Sequence, residues 1–236
     1  MRDGLRTTMK ELLTSTTGKV GVTFFLIMLL VSAYSLITNP LDFGNRLWNN
    51  PSVWADNPKN VRPICTTTFS GSRPVSHTVF ETSEPRSVRD TARGIESVYT
   101  FNLDYTFDEA PTFTSFSLEN VTYYGRPPTI FVSVVRPDGK SLSIYRLVVP
   151  APRDGESPPI QRYLQTPFRV HLTGEPSVAN DVALFLQDEF QVSVTSRRLV
   201  GSVDKAIFGT PDAQSENGFQ PLRGEYQITV VARSQD

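Results

Sequence analysis

Apolar positions divide the chain into two regions of different character. Between residues 20 and 41 there is no charged side chain, and the stretch VGVTFFLIMLLVSAYSLI is almost continuously apolar. Because a helix rises about 1.5 Å per residue, about 20 residues cross a hydrocarbon core of about 30 Å. Asn39-Pro40 ends the run, since proline cannot continue a helix and restricts the residue before it. We therefore predict a transmembrane helix over residues 19–39.

Beyond residue 66 the pattern changes to short β-type runs. Stretches rich in Val, Ile, Phe, Tyr and Thr alternate with clusters of Gly, Pro, Asp and Asn, which is typical of antiparallel strands joined by turns. The clearest hairpin spans residues 130–149, because Pro137-Asp138-Gly139 favours a tight turn. Strict alternation places Leu142, Ile144 and Arg146 on one face of its second strand. The full set of predicted strands is 97–105, 129–136, 141–149, 168–172, 190–195 and 224–232.

Helical periodicity is confined to one part of this region. Residues 177–188 (SVANDVALFLQD) predict a short amphipathic helix capped by Asn180 or Asp181. Residues 151–159 and 208–220 are predicted loops. One-sided sheets must bury their apolar faces against each other, so the predicted fold is mainly β, an antiparallel β-sandwich preceded by one transmembrane helix.

These patterns predict four segments. Residues 1–18 form a cytoplasmic N-terminal segment, 19–39 the transmembrane helix, 40–66 a linker rich in Pro, Asn and Trp, and 67–236 the extracytoplasmic β-sandwich. Trp48 and Trp54 in the linker suit an interfacial anchor beside the helix exit. They equally suit a packed collar that fixes the outer domain, and both interpretations remain open.

Charges beside the apolar run predict its orientation. Four basic residues precede it, whereas the nearest one after it is Arg46, with Asp42 closer to the helix; the four are Arg2, Arg6, Lys10 and Lys19. The positive-inside rule therefore predicts a single-pass cell-membrane protein with a cytoplasmic N-terminus. A cleaved signal peptide is the alternative, since Val31-Ser32-Ala33 offers small residues for cleavage. The long charged N-terminal segment and the long apolar run favour a retained anchor.

Composition excludes several functional classes. With 39% hydrophobic residues and a formal net charge of −1, the chain resembles neither a disordered segment nor a strongly basic nucleic-acid binder. Cys65 is the only cysteine, which excludes an internal disulfide and a cysteine zinc site. His77 and His171 are the only histidines and lack metal-ligand spacing. We predict no metal and no cofactor.

Catalytic motifs are also absent from the sequence. There is no phosphate-binding glycine loop and no Gly-x-Ser-x-Gly motif. Neighbours on a strand point to opposite faces, so Asp108-Glu109 and Asp188-Glu189 are predicted as solvated turn residues. Arg197-Arg198 is predicted at a solvated strand end, and Asn120-Val121-Thr122 is a glycosylation sequon. We predict that the protein is not an enzyme and name no catalytic residue.

The N-terminal region carries a resemblance to a known family. The run from residue 17 to residue 63 resembles the start of a dipeptide/oligopeptide ABC-transporter permease with a large outer domain after its first membrane helix. Gly18-Lys19-Val20-Gly21 matches the Gly-containing helix start, and an exit pattern is approximated by Trp48, Pro51, Trp54, Asn57, Pro58 and Lys59. The closing stretch PLRGEYQITV is similar to the last strand of such a domain.

The resemblance implies a function in peptide transport. It predicts a partial permease or accessory subunit whose partners are the lipid membrane, other permease subunits, ATPase subunits and a substrate-binding protein. No second apolar run follows in this chain, so it is expected to be either a fragment of a split permease or a free-standing subunit. The alternative is a single-pass membrane-anchored structural or adhesive β-domain without a transport role.

Overall fold

A computed structural model describes residues 12–55, 57, 71, 73–215 and 218–235. The chain forms two compact units, Met1–Asn57 and Pro58–Asp236. Two parts of the predictions lie outside the described residues: residues 1–11 with their charges, and residues 58–66 of the predicted linker 40–66, which include Cys65.

Helix α1, Thr16–Thr38, dominates the first unit. Ser15 caps its start, where the hydroxyl accepts a hydrogen bond from the Gly18 N–H at 3.0 Å. Its most apolar 18-residue window has a mean hydropathy of 2.3, and none of the helix residues is buried within the described part of the chain. At about 1.5 Å per residue, this helix is long and apolar enough to cross a membrane. The predicted apolar helix is confirmed, and its assignment to a membrane stays a prediction.

Polar side chains donate hydrogen bonds to backbone carbonyl oxygens near the C-terminal end of α1. Asn39 donates from its N–H at 2.9 Å and from Nδ2 at 3.1 Å to the Ser35 carbonyl oxygen. The Thr38 hydroxyl donates to the Tyr34 carbonyl oxygen at 2.8 Å. The last four carbonyls of a helix have no partner inside the helix, and Asn39 supplies donors to the first of them, that of Ser35.

Two helical turns follow α1. A π-helical turn, Gly44–Trp48, precedes helix α2, Pro51–Trp54. The rings of Trp48 and Trp54 meet edge to face with centroids 5.8 Å apart, and Trp54 Nε1 donates to the Leu47 carbonyl oxygen at 2.7 Å. The beginning of the predicted linker is therefore a folded turn held by a tryptophan pair.

The second unit is built on a five-stranded antiparallel sheet with the order β1-β2-β11-β5-β6. Strands β5 and β6 form the predicted hairpin around Pro137-Asp138-Gly139, in which Gly139 adopts φ +78°. Three smaller antiparallel pairs accompany the sheet: β3 with β8, β4 with β7, and β9 with β10. The strands are β1 Ser87–Thr91, β2 Gly94–Tyr105, β3 Ser115–Leu118, β4 Val121–Tyr123, β5 Thr129–Val135, β6 Ser141–Val148, β7 Ile160–Arg162, β8 Phe168–His171, β9 Gly209–Pro211, β10 Phe219–Pro221 and β11 Gly224–Ser234.

A β-bulge changes the pattern predicted for β6. Ser143 pairs with Ser133 but Tyr145 pairs with Val132, so Ile144 is an extra residue on this strand. The bulge brings Tyr145, and Leu147 after it, onto the same face as Leu142. Strict alternation had separated these residues, and that prediction is wrong because period-two reasoning fails at an inserted residue.

Three helices pack on the apolar face of the sheet: α3 Pro176–Phe190, α4 Ser196–Leu199 and α5 Val203–Ile207. Their buried residues share a core with the Tyr105 end of β2 and with Val134 and Leu142. The other half of this face is covered by the pairs β3–β8 and β4–β7, through residues such as Tyr123 and Ile160. Helices and short strand pairs together form the second layer.

The fold class is therefore mixed α and β, with antiparallel sheets and one apolar N-terminal helix. The predicted two-sheet sandwich is not confirmed, because helices cover half of the main sheet. The strand predicted over 190–195 is wrong, as is the cap at Asn180 or Asp181. Helix α3 begins at Pro176, a residue favoured in the first turn, and continues through Phe190. Gln191 at φ +57° and a bond from the Val192 N–H to the Leu186 carbonyl oxygen then close it.

Two further predictions are corrected. Arg197-Arg198 lies on α4 rather than at a strand end. The loop predicted over 208–220 contains the β9–β10 pair, whose turn residues dominate its composition. Residues 151–159 form no helix or strand, as predicted.

Candidate functional site

The histidines do not assemble a reactive centre. His77 is exposed in a segment without helix or strand, and exposed His171 ends β8 with its ring 5.0 Å from that of Phe113. Among the residues that the structure describes, no three His, Cys, Asp or Glu side chains lie close enough to hold a metal. Asn120 of the sequon is exposed at φ +50°.

The acidic pairs occupy different settings. Asp108 accepts a hydrogen bond from the Arg73 N–H at 2.8 Å and forms an ion pair with Arg223. It lies beside a cleft of about 460 Å³ that contains this ion pair. Asp188-Glu189 lies in the last turn of α3, not in a loop, so the prediction of a turn is wrong for this pair.

Arg136, immediately after β5, makes five hydrogen bonds to other parts of the domain. Its guanidinium is fully buried and uses all five N–H donors. Two of the hydrogen bonds go to the Asp138 carboxylate, from Nε to Oδ1 at 3.3 Å and from Nη2 to Oδ2 at 3.1 Å. The others reach backbone carbonyl oxygens of Ala206 at 2.7 Å, Ile207 at 3.1 Å and Gly209 at 2.9 Å. Arg136 thus ties the β5–β6 turn to the C-terminal end of α5.

Aromatic rings complete this cluster and connect it to α3. The Arg136 guanidinium carbon lies 5.4 Å from the Phe185 ring centroid and 5.5 Å from that of Phe190. Lys140 Nζ lies 4.8 Å from the Phe190 ring and 2.5 Å from Glu189 Oε2. A desolvated cation over an aromatic ring is stabilising. The C-terminal half of α3 is therefore held in a fixed position beside strand β6.

A groove of about 350 Å³ runs between β6 and this half of α3. β6 is one of the two edge strands of the sheet, and no strand of the described residues pairs with its outer edge. The groove is lined by Ser141, Leu142 and Ser143 on the strand and by Asp181, Leu184, Phe185, Asp188 and Glu189 on the helix.

The register shows which backbone groups face this groove. The Arg136 N–H donates to the Lys140 carbonyl oxygen at 2.9 Å, so these two residues form a hydrogen-bonded pair. Hydrogen-bonded and non-hydrogen-bonded pairs alternate in an antiparallel ladder. Ser141 and Ser143 therefore belong to non-hydrogen-bonded pairs, and their N–H and C=O groups point away from β5. Both residues are exposed.

The helix side of the groove is acidic. Glu189 is paired with Lys140, but neither Asp181 nor Asp188 has an ion-pair partner among the described residues. Partial burial raises the pKa of Asp181 above the ordinary aspartate value. Leu184, between the two, leaves 56% of its surface exposed. The groove therefore presents an apolar centre with a carboxylate on each side.

A second buried polar group lies at the start of α5. Asp204 is 1% exposed, and its Oδ1 accepts a hydrogen bond from the Thr114 hydroxyl. Oδ2 has no hydrogen-bond partner among the described residues. Burial raises the pKa of this carboxyl, against the lowering effect of Thr114 and Thr173. Asp204 connects α5 to the layer of short strands and touches no cleft described above.

Comparison with protein-family models, with curated proteins and with solved structures gives no match. The functional conclusions therefore depend on the geometry of this chain and on the residues quoted above for its resemblance. Sequence reasoning named no site residue and missed the groove. Its available signals were the strong hairpin at 130–149 and the acidic positions of the helix predicted over 177–188.

Proposed function

We propose that this chain is a membrane-anchored, non-enzymatic docking subunit. The observation that carries the proposal is one chain containing a 23-residue apolar helix and a folded domain with an open sheet edge beside an acidic helix. A sheet edge with unpaired backbone groups is a ready template for another chain, and natural proteins usually protect such edges. Among the described residues, the part of this edge that precedes the bulge at Ile144 remains unpaired in the groove, which supports a role in binding a partner.

The resemblance of the N-terminal region supplies the class of partner. We propose that α1 anchors the chain in the cell membrane with its N-terminus in the cytoplasm. The second unit then lies outside the cytoplasm, where it contacts a substrate-binding protein or other subunits of a peptide-type ABC transporter. The Trp48–Trp54 turn directly after α1 supports this assignment, because the same residues carry the exit pattern of that family. Such a subunit needs no metal and no cofactor.

Affinity purification tests the proposal. The full-length chain, tagged at its C-terminus, is crosslinked in native membranes, solubilised in mild detergent and analysed by quantitative mass spectrometry. We expect permease, ATPase or substrate-binding subunits of a peptide transporter to be enriched over an unrelated tagged single-pass protein. Recovery of the chain alone, or only with copies of itself, refutes the transporter role and supports the structural or adhesive alternative.

The orientation is tested with the single cysteine of the chain. A membrane-impermeant maleimide is expected to label Cys65 in intact cells, because residue 65 follows α1. As a control, Thr8→Cys in a Cys65→Ser background is expected to react only after the cells are permeabilised. The opposite labelling pattern refutes the proposed orientation. Loss of the N-terminal segment from the mature chain indicates the cleaved signal peptide.

A further inference from the structure

The unpaired edge of β6 lies against helix α3, and this arrangement fits an extended peptide better than a small molecule. A strand added to β6 pairs with the N–H and C=O groups of Ser141 and Ser143, which the register directs away from β5. Main-chain hydrogen bonds of this kind provide affinity for peptides of many different sequences. The inner face of β6 is already buried against the rest of the domain, since Leu142 is 4% exposed.

Helix α3 adds selectivity to this edge. Asp181 and Asp188 are seven residues apart, which corresponds to about 10 Å along a helix axis. Leu184 and Phe185 lie between them, and only Leu184 is largely exposed. Alternate side chains of a strand point to the same face and are spaced by roughly 6.7 Å. A strand in the groove can therefore place one apolar side chain over Leu184 and a longer charged side chain toward each carboxylate.

The charge of the groove decides the chemistry of the occupant. Asp181 and Asp188 have no cationic partner among the described residues, whereas Lys140 is already engaged by Glu189. An acidic strand would add like charges to this helix face, and a basic strand would neutralise them.

We propose that this groove binds an extended basic segment of a partner protein by β-strand addition to β6, with a basic–x–apolar–x–basic pattern facing α3. This inference names the occupant of the docking site and rests on the proposed docking function. The edge bonds hold the segment along β6, and the two aspartates select its charge.

The test uses the full chain in detergent micelles and a fluorescein-labelled peptide of sequence KTVTKTVTK, with binding followed by fluorescence anisotropy. The acidic peptide ETVTETVTE is the charge control. Two N-methylated versions of the basic peptide carry methyl groups on alternate amides, one version for each parity. N-methylation removes the donor without changing the charge, so one parity is expected to abolish binding and the other to leave it nearly unchanged.

Variants of the protein complete the test. Asp181→Asn/Asp188→Asn is expected to weaken binding by about tenfold, because two partly exposed ion pairs are lost. Asp104→Asn/Glu225→Gln removes the same charge from an exposed pair of facing residues on β2 and β11 and serves as the matched control. Ser143→Pro removes an edge N–H and is expected to abolish binding while far-UV circular dichroism confirms folding.

Equal loss of binding for the two N-methyl parities overturns strand addition. Equal affinity of the acidic and basic peptides, or equal effects of the two double variants, overturns the role of the aspartates. These outcomes are separable from the failure of the docking function. Transporter subunits recovered by the chain, together with no peptide binding, would mean that docking uses another surface. Peptide binding without recovered subunits would leave the groove assigned and remove only the transporter role.

Discussion

Replacing Arg136 by alanine is expected to cause the largest loss of stability of any single substitution considered for this domain. The change leaves the carbonyl oxygens of Ala206, Ile207 and Gly209 without these donors and leaves Asp138 without its ion-pair partner. Removing one partner of a buried charge pair costs about 3–5 kcal/mol. Each buried acceptor left unsatisfied costs about 1–3 kcal/mol, although costs within one network do not add. We expect a loss on the order of 5 kcal/mol.

The measurement is urea unfolding of the full chain in detergent micelles, followed by far-UV circular dichroism. Tryptophan fluorescence does not report on this domain, because both tryptophans lie in the first unit. Since domain stabilities are about 5–15 kcal/mol, the alanine variant risks being unfolded at the start. Arg136→Lys is therefore the second variant. It keeps the charge but not the planar five-donor geometry, and is expected to lose about 2 kcal/mol.

The control is Arg223→Ala, which breaks an ion pair whose arginine side chain is 61% exposed. Exposed pairs contribute about 0–1 kcal/mol, so this variant should unfold near the wild-type midpoint. The reasoning is refuted if Arg136→Ala loses no more than Arg223→Ala. It is also refuted if Arg136→Lys is as stable as the wild type, since a single charged ammonium group would then be sufficient in place of the five planar N–H donors of the guanidinium.

Three further outcomes follow from single positions. Burial raises the pKa of Asp204 above its ordinary 3.8, so the folded chain keeps a proton that the unfolded chain has released. The free energy of unfolding should therefore fall as pH rises above about 4, by at most about 1.4 kcal/mol per pH unit. Asp204→Asn should remove this slope when urea titrations are repeated across pH. Equal slopes for the variant and the wild type contradict this prediction. Gly94→Ala should lower the free energy of unfolding by about 1–3 kcal/mol, because φ is +114° and a Cβ would overlap the Ser234 carbonyl oxygen. Gly139 also has a positive φ but has open space around it, so Gly139→Ala should be less destabilising when both variants are compared by thermal unfolding. Ile27→Arg places a charge in the centre of α1, where membrane insertion of an arginine costs about 2.5–3.5 kcal/mol. It should reduce the fraction of the protein that stays with the membrane after alkaline carbonate extraction, whereas the control Thr122→Arg should leave that fraction unchanged.

Much of the fold follows from local patterns. The apolar run of α1 and the Pro137-Asp138-Gly139 hairpin were predicted because periodicity and turn chemistry act within a few residues. The strand expected over 190–195 failed because Gln191, a residue without strong conformational preference, takes the left-handed conformation that closes α3. The bulge at Ile144 is equally invisible locally, since it is defined by the pairing with Val132 and Ser133.

The candidate site is less accessible to sequence reasoning than the fold. Arg136 follows a strand like any solvated turn residue, and only the approach of α5 from 70 positions later surrounds it with carbonyl groups. Asp181 and Asp188 read as the polar side of an amphipathic helix. Their setting depends on β6 being an edge strand, which is a property of the sheet order.

The position of β11 within the sheet has a consequence for the order in which the domain folds during synthesis. This strand lies between β2 and β5, and it pairs with β2 across roughly 130 intervening residues, a separation typical of slow, non-local folding. A chain that is synthesised N-terminus first can form the β5–β6 hairpin early. Strand β2 cannot complete its pairing until residues 224–234 have been synthesised. Until those residues arrive, both β2 and β5 expose an unpaired edge. The sheet is therefore completed only after residues 224–234 have been synthesised, and until then its central strands are accessible to chaperones and proteases.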